Sequence, residues 1–260
     1  MTITGLVGFI FVLIFFGVMV ISMVAGRSRP GVNLRIIPAF SKLRRAIGLA
    51  VEQGSRLHIS LGRGSVASTD SAAAFVGLSL LERLARSAST GDNPPVATSG
   101  EPTLAILSQD TLKKTYHRIG LNEQYDPTAG QLAGMTPFSY AAATLGLAAD
   151  EKTGANILLG SFGTEVALIA DAGERSDNLT LAGTDNLPAQ AILYATAHEP
   201  LIGEEVYAAG AYVNAGPMHA ASLQAQDVLR WLLVAAILIG TILKLLGLDS
   251  VISDFLGGML

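Results

Sequence analysis

The chain has 260 residues, with 17 basic and 21 acidic side chains, no cysteine, and 15% charged against 50% hydrophobic residues. Soluble domains carry roughly 25% charge, so the shortage excludes a disordered chain and a strongly charged nucleic-acid arm. Without cysteine there is no disulfide scaffold, no thiol nucleophile and no cysteine-ligated zinc or iron–sulfur site.

Residues Met1 to Gly26 carry no charge and are nearly all apolar. A bilayer core takes about 20 apolar helical residues, so this run predicts a membrane span. A cleaved signal peptide would place basic residues before the apolar run. Here Arg27, Arg29, Arg35, Lys42, Arg44 and Arg45 all follow it, which favours an uncleaved anchor. Their position puts the following region in the cytoplasm and Met1 outside, because cytoplasmic flanks collect lysine and arginine. The same six side chains are expected at the membrane surface, against anionic headgroups. They lack interleaved aromatics, and no nucleic-acid partner is expected.

Pro38 to Gln53 reads as an amphipathic helix. Phe40, Leu43, Ile47 and Val51 recur at helical spacing, and Gly54 is a natural stop. One pattern then repeats. Arg56 to Leu61, Pro95 to Ser99, Asn156 to Leu159 and Asn178 to Ala182 are short β-rich runs, each closed by glycine. Each is followed by a helical stretch: Asp70 to Ser87, Pro102 to Tyr116, Thr164 to Gly173 and Pro188 to His198. Strand, small-residue loop and helix in alternation predict a parallel α/β sheet. A further helix is expected over Thr136 to Asp150, after a long Gly-, Asn-, Asp- and Pro-rich loop from His117 to Gly134. Another is expected over Glu204 to Val213, before the break at Asn214 to Pro217. The pattern is helical again from Met218, leading into a second candidate span, Val228 to Leu248, with Arg230 and Lys244 near its ends.

Charge divides unevenly. Arg27 to Arg63 carries a net +7, and Asp92 to Asp227 a net −11. From Gly31 to Asp227 only 32 of 197 residues are charged, against roughly 25–35% of a free surface. Either small residues fill the core, or neighbouring copies and partner subunits bury part of the surface.

Gly62-Arg63-Gly64-Ser65-Val66-Ala67 has the G-x-G-x-x-A form after a strand, where a dinucleotide fingerprint belongs. Against that reading, Ser68, Thr69 and Asp70 lengthen the loop before the helix. The acid expected about 20 residues on is also missing; Glu101 comes 39 residues after Gly62. Each of the four loops sets a hydroxyl near an acid: Thr69 with Asp70, Ser99 with Glu101, Ser161 with Glu165, Thr184 with Asp185. In a parallel sheet these loops gather at the carboxyl edge, where ligands bind; helix capping explains the same residues. The four histidines, His58, His117, His198 and His219, form no ligand-spaced pair, and His58 reads as a packed strand residue. No nucleophile elbow or phosphate-loop lysine is present.

The runs Ile37-Pro38-Ala39-Phe40-Ser41-Lys42-Leu43, Ala50 to Gly62, and Ala182-Gly183-Thr184-Asp185 resemble a bacterial family of membrane-anchored proteins of unknown function. The resemblance implies a bacterial cell-membrane setting and carries over no activity and no site residue.

The expected architecture is α/β: a small parallel sheet of about four strands covered by helices, Rossmann-like, flanked by N- and C-terminal transmembrane helices. Its parts are a span (1–26), a basic juxtamembrane segment with an amphipathic helix (27–54), a cytoplasmic body (55–227), a second span (228–248) and a tail (249–260) with both termini outside. The expected role is a structural or scaffold subunit that self-associates or joins a larger complex in the bacterial inner membrane. The alternative is a ligand-sensing or nucleotide-binding module, built on Gly62, Gly64, Ser65, Ser99, Gly100, Ser161, Gly163, Thr184 and Asp185. No catalytic residue, metal or cofactor is expected, and an enzyme is the least favoured reading.

Overall fold

The computed structural model describes residues 3–27, 34–68, 71–89, 91 and 93–246. The chain forms two compact units: Leu34–Ala215, and Met1–Asn33 together with Gly216–Leu260.

The second of these units holds α1 (Ile3–Arg27) and α9 (Pro217–Leu245), which pack against each other. Gly5–Val24 within α1 has mean hydropathy 2.9, and α9 has 2.1. Both helices are therefore long and apolar enough to cross a membrane. Pro217 occupies the first turn of α9, where a missing N–H costs nothing. The helix runs unbroken through Met218 into the apolar segment.

The α/β body begins with α2 (Pro38–Gln53), stopped by Gly54 in the left-handed conformation. It continues through β1 (Arg56–Gly62), α3 (Ser71–Ser87), β2 (Val96–Ser99), α4 (Pro102–Arg118) and β3 (Gly130–Leu132). After α5 (Pro137–Ala148) come β4 (Thr153–Ser161), α6 (Val166–Arg175), β5 (Leu179–Gly183), α7 (Leu187–Thr196), β6 (Glu199–Leu201) and α8 (Glu205–Tyr212). The six strands are parallel and ordered β3-β2-β1-β4-β5-β6. The sheet is larger than the four strands expected. The two additional strands, β3 and β6, are three residues each and lie at its edges.

Alternation along the strands separates two cores. Leu57, Ile59 and Leu61 of β1 pack with Phe40, Leu43, Leu80, Leu81, Leu84 and Val206 on the face covered by α2, α3, α4 and α8. Leu158 and Ala182 pack with Tyr140, Phe162, Val166, Ile169 and Leu193 beneath α5, α6 and α7. The long loop expected over His117 to Gly134 is shorter than that. It holds the end of α4, two short 3-10 turns and β3.

The body's entry and exit are pinned together. The Tyr212 hydroxyl donates to the Arg35 carbonyl, and the Arg35 guanidinium pairs with Glu205. The Tyr212 ring stacks on Phe40 at 4.7 Å with 14° between planes. Both covalent links to the apolar unit therefore leave the body from neighbouring points.

Candidate functional site

The chain builds β1, β2 and β3 outward on one side, then returns through α5 to place β4 against the other side of β1. The order reverses between β1 and β4. In open α/β sheets, ligands bind at this point, outside the carboxyl ends of the strands.

The two strand ends are closely joined. Gly62 ends β1 at φ +75°, and a Cβ there would lie 2.3 Å from the Ser161 carbonyl oxygen. The Arg63 N–H donates to that same carbonyl at 2.8 Å, and Gly100 N–H donates to the Gly62 carbonyl at 2.8 Å. The loop after β1 thus bridges the loops after β2 and β4.

Arg63 lies across this junction. Its aliphatic stem rests on Gly100, where a Cβ would meet Arg63 Cγ at 2.2 Å. Its Nε donates to Glu165 Oε1 at 2.9 Å, and Gly163 N–H donates to the same oxygen at 3.1 Å. The Glu165 side chain is 4% exposed and that of Arg63 25%. Burial alone would raise the Glu165 carboxyl, but the Arg63 and backbone hydrogen bonds outweigh it and hold the group below the usual carboxylate range.

The polar groups of the other loops bond within and between the loops. Thr184 Oγ1 accepts from Phe162 N–H at 3.1 Å, and the Thr184 carbonyl accepts from Gln190 at 2.8 Å. The Thr184 hydroxyl donates to Asp185 at 3.4 Å. Ser99 Oγ lies 3.4 Å from the Gln131 carbonyl. The Ser65 carbonyl accepts from Ser68 in a tight turn beside Gly64. Of the four acids read as helix caps, Glu101 caps α4 by accepting from Leu104 N–H at 2.7 Å. Glu165 instead binds Arg63, and Asn186 rather than Asp185 caps α7. Thr69 and Asp70 lie outside the described residues. The carboxyl edge therefore brings together Gly62, Gly100, Ser161 and Gly163 about the Arg63–Glu165 pair. Thr184 joins them through Phe162.

Beneath this edge, the α5 face of the sheet carries a polar layer. Tyr140, fully buried, hydrogen-bonds Ser60 Oγ and accepts from Gly62 N–H at 3.2 Å. Burial pushes its phenol up to about 12, against the opposing effect of those hydrogen bonds. His58 is also fully buried, with Nδ1 2.9 Å from Asn156 Oδ1 and Nε2 2.9 Å from Thr98 Oγ1. Asn156 Nδ2 donates to the Ala148 carbonyl at 2.9 Å, which leaves Oδ1 as the acceptor facing His58. His58 therefore donates from Nδ1, and, kept neutral by burial, accepts from the Thr98 hydroxyl at Nε2. Burial lowers its pKa from 6.5 to about 4, only partly offset by the bond to Asn156. His58 is a packed strand residue, as its alternation with Leu57 and Ile59 suggested.

The basic residues read as a membrane-facing group divide. Arg35 pairs with Glu205, Lys42 pairs with Glu199, and Arg44 and Arg45 are exposed on α2. Arg29 and the side chain of Arg27 lie outside the described residues. Among the described residues no cluster of three or more His, Asp or Glu is placed to hold a metal.

Fold and edge together define a doubly wound α/β protein whose crevice is occupied by its own ion pair, carried with two helices apolar enough to span a bilayer. Residues 2–255 match the family described as a domain of unknown function, DUF6754, and the chain belongs to that family. No curated protein and no solved structure matches it.

Proposed function

We propose that this protein is a structural subunit of the bacterial inner membrane. In this reading α1 and α9 anchor it, and its cytoplasmic α/β body self-associates or joins a larger complex. The observation that carries this reading is a charge-free run of the body with exposed apolar side chains. No residue from 127 to 149 is charged. Within that run the edge strand β3 and helix α5 expose Leu132, Met135 and Phe138, the last by 77%. Ala142, Ala143 and Gly146 are exposed beside them. Large exposed apolar side chains grouped in one such run favour an interaction surface. Anchoring in a shared plane raises the local concentration of copies, so a modest contact suffices.

The test is native mass in mild detergent. The reading predicts assemblies heavier than the 27.0 kDa chain, reduced to the single chain by Phe138→Asp. A wild-type particle of one chain with no partner contradicts it.

A second reading, a ligand-sensing or nucleotide-binding module, draws on the strand order and the reversal point at Gly62 and Ser161. It predicts a rise in melting temperature with a nucleotide or metal, which Gly62→Val abolishes. No shift with any of them leaves the structural reading alone.

A further inference from the structure

The opposite edge of the sheet carries a second feature, unrelated to the carboxyl-edge loops. The last turns of α2 and the starts of β1, β4 and β5 enclose a cleft of about 350 Å³. Its apolar lining includes Ala46, Leu49 and Leu179, and its charged lining includes Arg45 and Asp177. Lys42 also lines it and is paired with Glu199.

Two exposed charged side chains here lack partners among the described residues. Arg45 and Asp177 face the same cleft with opposite charges, yet neither side chain has a hydrogen-bond or ion-pair partner among the described residues. The Ser55 hydroxyl, behind the cleft wall, is buried with no partner among the described residues. Asp177 also sits at φ +55° in the turn from α6 to β5. Glycine adopts that conformation freely, and aspartate tolerates it better than most residues.

An unpaired cation and an unpaired anion lining one partly apolar cleft match a ligand that carries both charges. We propose that the cleft binds a small zwitterion of the phosphoethanolamine class. Its phosphate meets the planar fork of Arg45, which suits phosphate oxygens. Its ammonium meets Asp177, and its carbon chain lies over Leu49 and Leu179. The volume lies at the small end of ligand sites, roughly 300–1,000 Å³, and fits such a group. The chemistry is the same for a phosphatidylethanolamine headgroup and for the free soluble compound. The inference is independent of self-association.

The experiment titrates phosphoethanolamine into the full chain in phosphatidylcholine nanodiscs, followed by heteronuclear NMR of the Arg45 and Asp177 signals. The expected result is saturable binding, weakened about fivefold or more by Arg45→Gln and by Asp177→Gly, since each removes one charged contact. Glycine suits φ +55°, so the second variant keeps its fold. Inorganic phosphate alone, ethanolamine alone and phosphocholine are expected to bind more weakly. Repeating the titration in nanodiscs containing phosphatidylethanolamine identifies the source. Competition there marks the lipid headgroup, and an unchanged titration marks the soluble compound. No saturation below about 10 mM, far weaker than a specific contact set gives, overturns the proposal. So does binding that neither variant alters.

Discussion

Acidification tests the polar layer through His58. Its pKa is 6.5 in an unfolded chain and about 4 in the body. Between those values the unfolded chain takes up a proton that the folded one refuses. Stability is therefore complete above pH 6.5 and falls toward pH 4 by about 1.4 kcal/mol per pH unit. From pH 6.5 to 5.0 the loss is about 2 kcal/mol. For a body of this size that corresponds to a fall in melting temperature of roughly 4–8 °C. The lowered carboxyls of Glu165 and Asp126 act in the same direction, since each loses its stabilisation as pH falls through its depressed pKa. Their contribution lies below the usual carboxylate range, under the His58 window. The assay is thermal unfolding of the detergent-solubilised chain at pH 7.0 and 5.0, wild type against His58→Gln. The variant starts less stable, because Asn156 and Thr98 lose geometry tuned to an imidazole, but its melting temperature is nearly independent of pH over this interval. Equal slopes in the two proteins refute the assignment of a neutral, buried His58.

Tyr140→Phe removes the acceptor of the Gly62 N–H and the partner of Ser60. Leaving buried polar groups unpaired costs about 1–3 kcal/mol, so its melting temperature should fall by several degrees; an unchanged melt would mean these groups are otherwise satisfied. Glu165→Ala strands the Arg63 guanidinium at the carboxyl edge. A fully buried pair broken in this way costs about 3–5 kcal/mol; because Arg63 is 25% exposed the expected loss is smaller, about 2 kcal/mol. Restoration by the double variant Arg63→Met, Glu165→Ala checks that the cost is the unpaired charge, and no restoration assigns it to lost packing.

The four inner strands were legible because each is a run of apolar or β-branched residues ending in glycine, and that punctuation is local. β3 and β6 were not. Gly130–Leu132 lies inside a polar, proline-containing stretch, and Glu199–Leu201 contains Pro200, which cannot donate to a ladder. Both are edge strands, held by pairing with neighbours rather than by their own propensity. The strand order is a long-range property that no local pattern carries. At the carboxyl edge, the glycines of the first loop were visible in the sequence, and Gly62 does sit at the reversal of order. What fills that place was hidden, because Arg63 and Glu165 are 102 residues apart. The polar layer left a trace in His58 and Ser60, two residues apart on one strand face, but Tyr140 joins them only through the packing of α5. The amino-edge cleft left none. Arg45 read as one of six basic residues near a membrane, and only the fold sets it across from Asp177.

Membrane anchorage with the body inside is the claim on which the structural role depends. The chain has no cysteine, so a single Gln124→Cys on an exposed turn reports on its side of the membrane without background. In intact bacterial cells this cysteine should resist a membrane-impermeant maleimide and react only after permeabilisation, while the protein stays with carbonate-washed membranes. Labelling before permeabilisation, or release by carbonate, contradicts the account.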